Sequence, residues 1–169
     1  MHVYFSHGKE SGPWGSKITR LADVAKNHNY QVESIDYTKI QSPDDRVQLL
    51  ADTLENEEDE IILVGSSMGG YVSLAAAANI YVKGIFLLAP ALYMPGYKVD
   101  RFEPKCSHTE IVHGWSDDVI PPENSIRFAR EKNCQLHLID GDHRLASSLD
   151  TVERIFRNFM ATIYELGSE

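Results

Sequence analysis

Cysteine is scarce. Cys106 and Cys134 are the only two in 169 residues, too few for a disulfide framework and without the spacing of a metal site. Free thiols are expected in a reducing compartment. Basic residues are outnumbered, 16 Lys and Arg against 25 Asp and Glu for a net charge of −9, which argues against nucleic acid or an anionic membrane as the partner. No apolar run approaches the roughly 20 residues that cross a bilayer. The opening Met1-His2-Val3-Tyr4-Phe5-Ser6-His7 has neither the basic segment nor the long apolar stretch of a signal peptide, so a cytoplasmic protein is expected. Repeats and low-complexity tracts are absent too. Neither Gly-Lys-Ser/Thr nor G-x-G-x-x-G occurs, which excludes a Walker loop and a dinucleotide-binding loop.

What is present is globular. Hydrophobic residues make up 43% and charged residues 24%, a mixture that forms a core rather than a disordered chain. The length fits one domain covering residues 1–169. Short apolar runs at residues 3–6, 31–35, 60–64, 82–88, 110–112 and 135–139 end in Gly, Pro, Asp or Ser and read as buried strands. Between them lie amphipathic stretches. Ile18, Leu21, Ala22 and Ala25 share a face, as do Val47, Leu50 and Leu54. The second set follows Ser42 as a cap, Pro43 at the first helical position and Asp44 and Asp45 at the positive end of the dipole. Val152, Ile155, Phe156, Phe159, Met160, Ile163 and Tyr164 keep a strong helical period. Residues 68–79 are nearly all small or apolar and predict a buried central helix. Strands alternating with helices predict an α/β fold, a three-layer sandwich around a mostly parallel sheet of about six strands. In such sheets the working residues stand beyond the carboxyl ends of the strands.

After the third run comes Gly65-Ser66-Ser67-Met68-Gly69-Gly70, a G-x-S-x-G pattern between strand and helix. So sharp a turn holds its serine strained and exposed, and bulky residues two positions before or after it collide with strand and helix. Only Ser67 has glycine at both positions. Ser66 would have Val64 and Met68 there. The bland alternative is a tight turn or a phosphate loop. A serine needs a base, and the base an orienting acid. The fifth run leads into His113-Gly114-Trp115-Ser116-Asp117-Asp118, the sixth into Asp140-Gly141-Asp142-His143. The order Ser67, Asp117, His143 matches one of the chain orders in which this triad occurs. Asp118 is the rival acid. His113 reads as structural, His137 as a strand residue, and His2, His28 and His108 as surface residues. Asp140, Asp142 and His143 lack paired ligand spacing, so neither metal nor cofactor is expected.

Acyl transfer also needs two donors for the developing oxyanion. Met68 N–H follows the nucleophile. The loop Ser6-His7-Gly8-Lys9 offers a turn at Gly8 that aims Lys9 N–H inward. Residues 89–108 form the longest irregular stretch. Its Tyr93, with Trp14, Trp115 and Ile120, is the candidate lining of a shallow substrate cleft.

His7-Gly8, the turn around Ser67, His113-Gly-Trp-Ser-Asp117 with Val119 and Pro121, and Gly141-Asp142-His143 together resemble the α/β-hydrolase superfamily, over nearly the whole chain. The chain looks most like its compact bacterial esterases, which lack a cap domain. The resemblance implies a serine hydrolase with Ser67 as nucleophile, Asp117 as acid, His143 as base and the Lys9 and Met68 amides as oxyanion hole. Its partner would be a small-molecule ester, or a thioester as the close variant. A binding protein that keeps the fold without turnover is the alternative. The sequence departs from the fuller family sheet in lacking antiparallel strands ahead of the first run.

Overall fold

A computed structural model describes residues 1–167. Its sheet has six strands, in the order β2-β1-β3-β4-β5-β6. They are β1 (His2–Ser6), β2 (Gln31–Ile35), β3 (Ile61–Ser66), β4 (Val82–Leu88), β5 (Cys106–Gly114) and β6 (Gln135–Ile139). Every neighbouring pair is parallel. The central strands β3 and β4 carry continuous Val, Ile and Leu because both faces are covered.

Five α-helices provide that cover: α1 (Ser16–Asn27), α2 (Pro43–Leu54), α3 (Met68–Ala76), α4 (Pro122–Lys132) and α5 (Leu149–Leu166). On one face α1 and α5 bury Ile18, Leu21, Phe156 and Phe159 against Val3, Val64 and Phe86. On the other, α2, α3 and α4 bury Leu50, Tyr71, Leu74 and Phe128 against Tyr4, Leu63 and Leu87. At α2 the capping expectation holds: Ser42 Oγ accepts from the Asp45 amide at 3.2 Å, with Pro43 beside it.

The structure departs from the sequence reading in several places, beginning with α3, which stops at Ala76 instead of running to residue 79. β5 begins at Cys106 rather than Glu110, and its early residues are polar for a reason. Glu110, 3% exposed, accepts from His108 Nε2 and His137 Nε2, each at 2.8 Å. His108 therefore is not a surface residue but stacks on Phe159 inside the α5 layer. His2 is likewise part-buried, 2.8 Å from Glu57. Finally, α4 is an element that the apolar pattern did not single out. Its buried face is Pro122, Ser125, Phe128 and Ala129, too polar to stand out as an apolar stripe.

No helix lies between β4 and β5. Residues 89–105 cross to β5 irregularly, and Leu92 and Phe102 seal the sheet from the α2–α4 side. Among the described residues no helix is long and apolar enough to cross a membrane.

Candidate active site

The carboxyl ends of β1, β3, β5 and β6 converge. At the end of β3, Ser67 takes φ 54° and ψ −117°, a region that costs a non-glycine residue roughly 1–3 kcal/mol. Three backbone hydrogen bonds hold it there: Ser67 N–H donates to Leu88 O at 2.9 Å, while Ser67 O accepts from the Gly70 and Ala91 amides at 3.0 and 2.9 Å. The two flanking glycines are needed for space. A Cβ on Gly65 would stand 2.3 Å from Gly69 O, and one on Gly69 would stand 1.9 Å from Ser6 O of β1. Ser66 belongs to β3 itself and is 8% exposed.

Ser67 Oγ lies 3.0 Å from His143 Nε2, and His143 Nδ1 lies 2.7 Å from Asp117 Oδ2. A carboxylate only accepts, so Nδ1 carries the ring proton, and Nε2 is left to accept from the Ser67 hydroxyl. His143 is presented by a tight turn after β6, where Asp142 Oδ1 accepts from the Arg144 and Leu145 amides, both at 3.0 Å. Asp142 is thereby occupied in shaping the turn.

Asp117 is held from every side. Its Oδ1 accepts from the Val119 and Ile120 amides at 2.9 and 2.8 Å, and its Oδ2 accepts from His113 Nε2 at 2.9 Å as well as from His143. Burial alone would push this carboxyl up. Its hydrogen bonds from His143, Ile120 and Val119 outweigh burial and hold it below the ordinary carboxylate range. Asp118, the rival, is exposed and makes none of these contacts. His113 is fully buried. Its Nε2 also reaches Ile120 O at 3.0 Å, and its Nδ1 accepts from Ser125 Oγ at 2.7 Å. Burial lowers its pKa, only partly countered by Ile120 O and Asp117. A neutral His113 thus braces the carboxylate from behind, as expected of a structural histidine.

Beside Ser67 runs the loop after β1. Gly8 lies next to the serine: a Cβ added there would make an ordinary contact at 3.4 Å with Ser67 Cβ. His7 is buried beneath, and its Nε2 accepts from the Tyr37 amide at 2.9 Å. Its proton is therefore on Nδ1, which donates to Gly8 O at 2.7 Å. Burial lowers the His7 pKa, and nearby Arg46 lowers it further. Neither the Lys9 nor the Met68 amide donates to another group among the described residues, so both are free for a ligand oxygen. Lys17, in the first turn of α1, is half-buried, and burial brings its pKa down to about 8 although the Asp117 and Asp142 carboxylates favour its charge. The apolar patterning of α1 gave no sign of it.

The four lining candidates are not brought together equally. Ile120 is 4% exposed and serves the site through its backbone. Trp115 is 60% exposed on the Asp117 loop. Trp14 is half exposed, with Lys26 Nζ 5.6 Å above its ring. Tyr93 turns to α4, where its hydroxyl donates to Glu131 at 3.0 Å and Arg127 lies 3.8 Å over the ring. A cleft of about 590 Å³ lies at the amino ends of the strands, away from Ser67, and has no serine, histidine or cysteine in its walls. Among the described residues no cluster of His, Cys, Asp and Glu could hold a metal ion.

A six-stranded parallel sheet covered on both faces, with a serine on a strained turn after β3, is the fold of the α/β-hydrolases. The chain belongs to UPF0227, an uncharacterised protein family whose profile matches residues 1–102. No curated protein matches it in sequence. Among solved structures it is similar to a protein from Xanthomonas campestris pv. campestris assigned to the α/β-hydrolase superfamily. That likeness has 27% identity and a TM-score of 0.85, over 95% of this chain and 98% of the other. Est1E from Butyrivibrio proteoclasticus follows at 19% identity and TM-score 0.82, covering 97% of this chain and 88% of Est1E. A serine hydrolase without a lid, also from Xanthomonas campestris, is 18% identical with TM-score 0.67, covering 92% of this chain and 79% of that one.

Proposed function

We propose that the protein is a serine hydrolase that cleaves carboxylic esters of small or short-chain acyl groups through an acyl-enzyme on Ser67. The observation that carries this reading is the line from Ser67 Oγ to His143 Nε2 at 3.0 Å and from His143 Nδ1 to Asp117 Oδ2 at 2.7 Å. Ser67 Oγ attacks the ester carbonyl as His143 Nε2 takes its proton. The carbonyl oxygen becomes an oxyanion between the Lys9 and Met68 amides. His143 then gives its proton to the leaving alkoxide, the C–O bond breaks, and the acyl group stays on Ser67. A water molecule repeats the cycle, releasing the acid and restoring the serine. Asp117 keeps Nδ1 protonated and faces the imidazolium that forms.

The preference for short acyl groups rests on the irregular 89–105 segment. It packs Leu92 and Phe102 into the sheet instead of raising a lid over Ser67. A further methylene gains about 0.8 kcal/mol only where it is buried, so an open site soon stops rewarding length. The test is fluorophosphonate labelling of one sample and, on a separate unlabelled sample, kcat/KM across p-nitrophenyl esters from acetate to palmitate, with matching thioesters as a second series. A labelled Ser67 and a maximum at short esters are expected. No labelling sinks the hydrolase reading, and a steady rise to palmitate sinks the chain-length reading alone.

A further inference from the structure

Among the described residues Arg46 is the largest fully buried side chain, at 0% exposure. It stands in the first turns of α2, directly beneath the loop after β1. Such a guanidinium normally needs a carboxylate, yet the charged or polar neighbours that influence it are the tyrosines 37 and 97. Its Nε donates to Ile40 O at 2.7 Å, and its Nη1 donates to Gly8 O at 3.2 Å and His7 O at 3.3 Å. Nη2 is buried without a hydrogen-bond partner. The side chain thus keeps a full positive charge in the interior and spends it on backbone carbonyls, a costly arrangement for a residue that only fills space.

Those carbonyls belong to the segment that carries the Lys9 amide. Across a trans peptide the C=O and N–H point to opposite sides. Arg46 Nη1 and His7 Nδ1 draw the Gly8 carbonyl inward, so the Lys9 N–H faces outward, beside Ser67. We propose that Arg46 is a positioning residue for the oxyanion site. It fixes the Gly8–Lys9 peptide plane in the donating orientation and sets a positive charge, faced by the Tyr37 ring at 5.3 Å but by no carboxylate among the described residues, behind the peptide that receives the oxyanion. This deepens, and rests on, the serine-hydrolase reading. A peptide free to rotate would point the Gly8 carbonyl at the developing charge. The acting group is Nη1 together with its charge, so a shorter cation should restore part of the effect and a neutral side chain none.

The experiment compares the wild type with Arg46→Met and Arg46→Lys, each checked for cooperative unfolding, on a short p-nitrophenyl ester and on phenylboronic acid, whose serine adduct is tetrahedral and anionic. Loss of one oxyanion donor costs about 100-fold or more in kcat. For Arg46→Met we expect that loss with KM within about twofold, boronate affinity falling alongside kcat, and partial recovery in Arg46→Lys. A merely structural role would lower the melting temperature without splitting kcat from KM. A folded Arg46→Met whose kcat and boronate affinity stay within about threefold of wild type overturns the proposal and leaves the hydrolase reading standing. A wild type that neither turns over esters nor reacts with fluorophosphonate overturns both. Should neither variant fold, NMR of the wild type decides: boronate binding should move the Lys9 amide and the Arg46 Nη1 protons, and fixed Arg46 signals overturn the proposal.

Discussion

The two ends of the sheet hold the same three chemical groups in different order. At the carboxyl end a hydroxyl, an imidazole and a carboxylate are Ser67, His143 and Asp117, with the imidazole in the middle. At the amino end they are Tyr4, His2 and Glu57, with the carboxylate in the middle: Glu57 Oε2 accepts from the Tyr4 hydroxyl and meets His2 Nδ1 at 2.8 Å. The Tyr4 hydroxyl, buried and bonded to an anion, is pushed well above the usual tyrosine range, while the Tyr4 hydrogen bond first of all brings Glu57 down to about 2. A central carboxylate holds a hydroxyl proton in place. A central imidazole, with one nitrogen committed to an acid, offers the other to receive it. Composition is shared by both ends, and connectivity separates them.

The comparison breaks most sharply at Ser67. Ser67→Ala should cut ester hydrolysis by about 10⁴-fold or more and abolish fluorophosphonate labelling, whereas Ser66→Ala keeps most of the rate. The reverse pattern refutes the assignment. Next comes the orienting acid. Asp117→Asn should lower kcat by about 10³- to 10⁴-fold through the wrong His143 tautomer, and Asp118→Asn, at an exposed carboxylate, should stay within about twofold. Equal losses in the two variants would contradict the geometry at Oδ2.

Acid should loosen both ends, by different groups. His7 and His113 have pKa values lowered by burial, so the unfolded chain binds their protons first. The stability they contribute is full above the unfolded imidazole value of about 6.5 and is lost as pH falls from there through their folded values. Asp117 and Glu57 are also lowered, but as carboxylates they lose their contribution only below about pH 4. Thermal unfolding followed from pH 8 to pH 3 should show melting temperature falling in two stages, and Glu57→Gln should flatten the lower one. A melting temperature constant down to pH 4 would rule out neutral buried histidines. Smaller still is Ser125→Ala, which leaves His113 Nδ1 unpaired and should cost about 1–3 kcal/mol by denaturant unfolding. At the amino end Tyr4→Phe should leave kcat/KM within about twofold, and a large loss there would mean that the two ends are coupled.

The line Ser67–His143–Asp117 was legible as a set of neighbours because each follows a strand end and has few competitors of its type there. Gly65 and Gly69 picked Ser67 on steric grounds, and the atoms a side chain would strike are Gly69 O and Ser6 O. The supporting residues were not legible. Arg46 follows Asp44 and Asp45 and reads as one more charge on a solvated helix, yet among the described residues it is the largest of the fully buried side chains. His108 and Glu110 broke the apolar pattern of β5 because they satisfy each other inside. Ser125 weakened the stripe of α4 for the same reason, being hydrogen-bonded to His113. Pairwise satisfaction of buried polar groups is set by partners distant in the chain, His137 with Glu110 or Ser125 with His113, and periodicity has no access to it.

Gly69 fits against Ser6 O because β1 is already paired with β3. The turn around Ser67 is thus a joint between two segments some sixty residues apart. On the serine-hydrolase reading, a partly unfolded chain holds the G-x-S-x-G residues but no activated serine until the loop after β6 brings His143 to it. Recovery of fluorophosphonate reactivity during refolding would therefore time the meeting of the strand ends that carry Ser67, Asp117 and His143, making the serine a clock for assembly of the sheet.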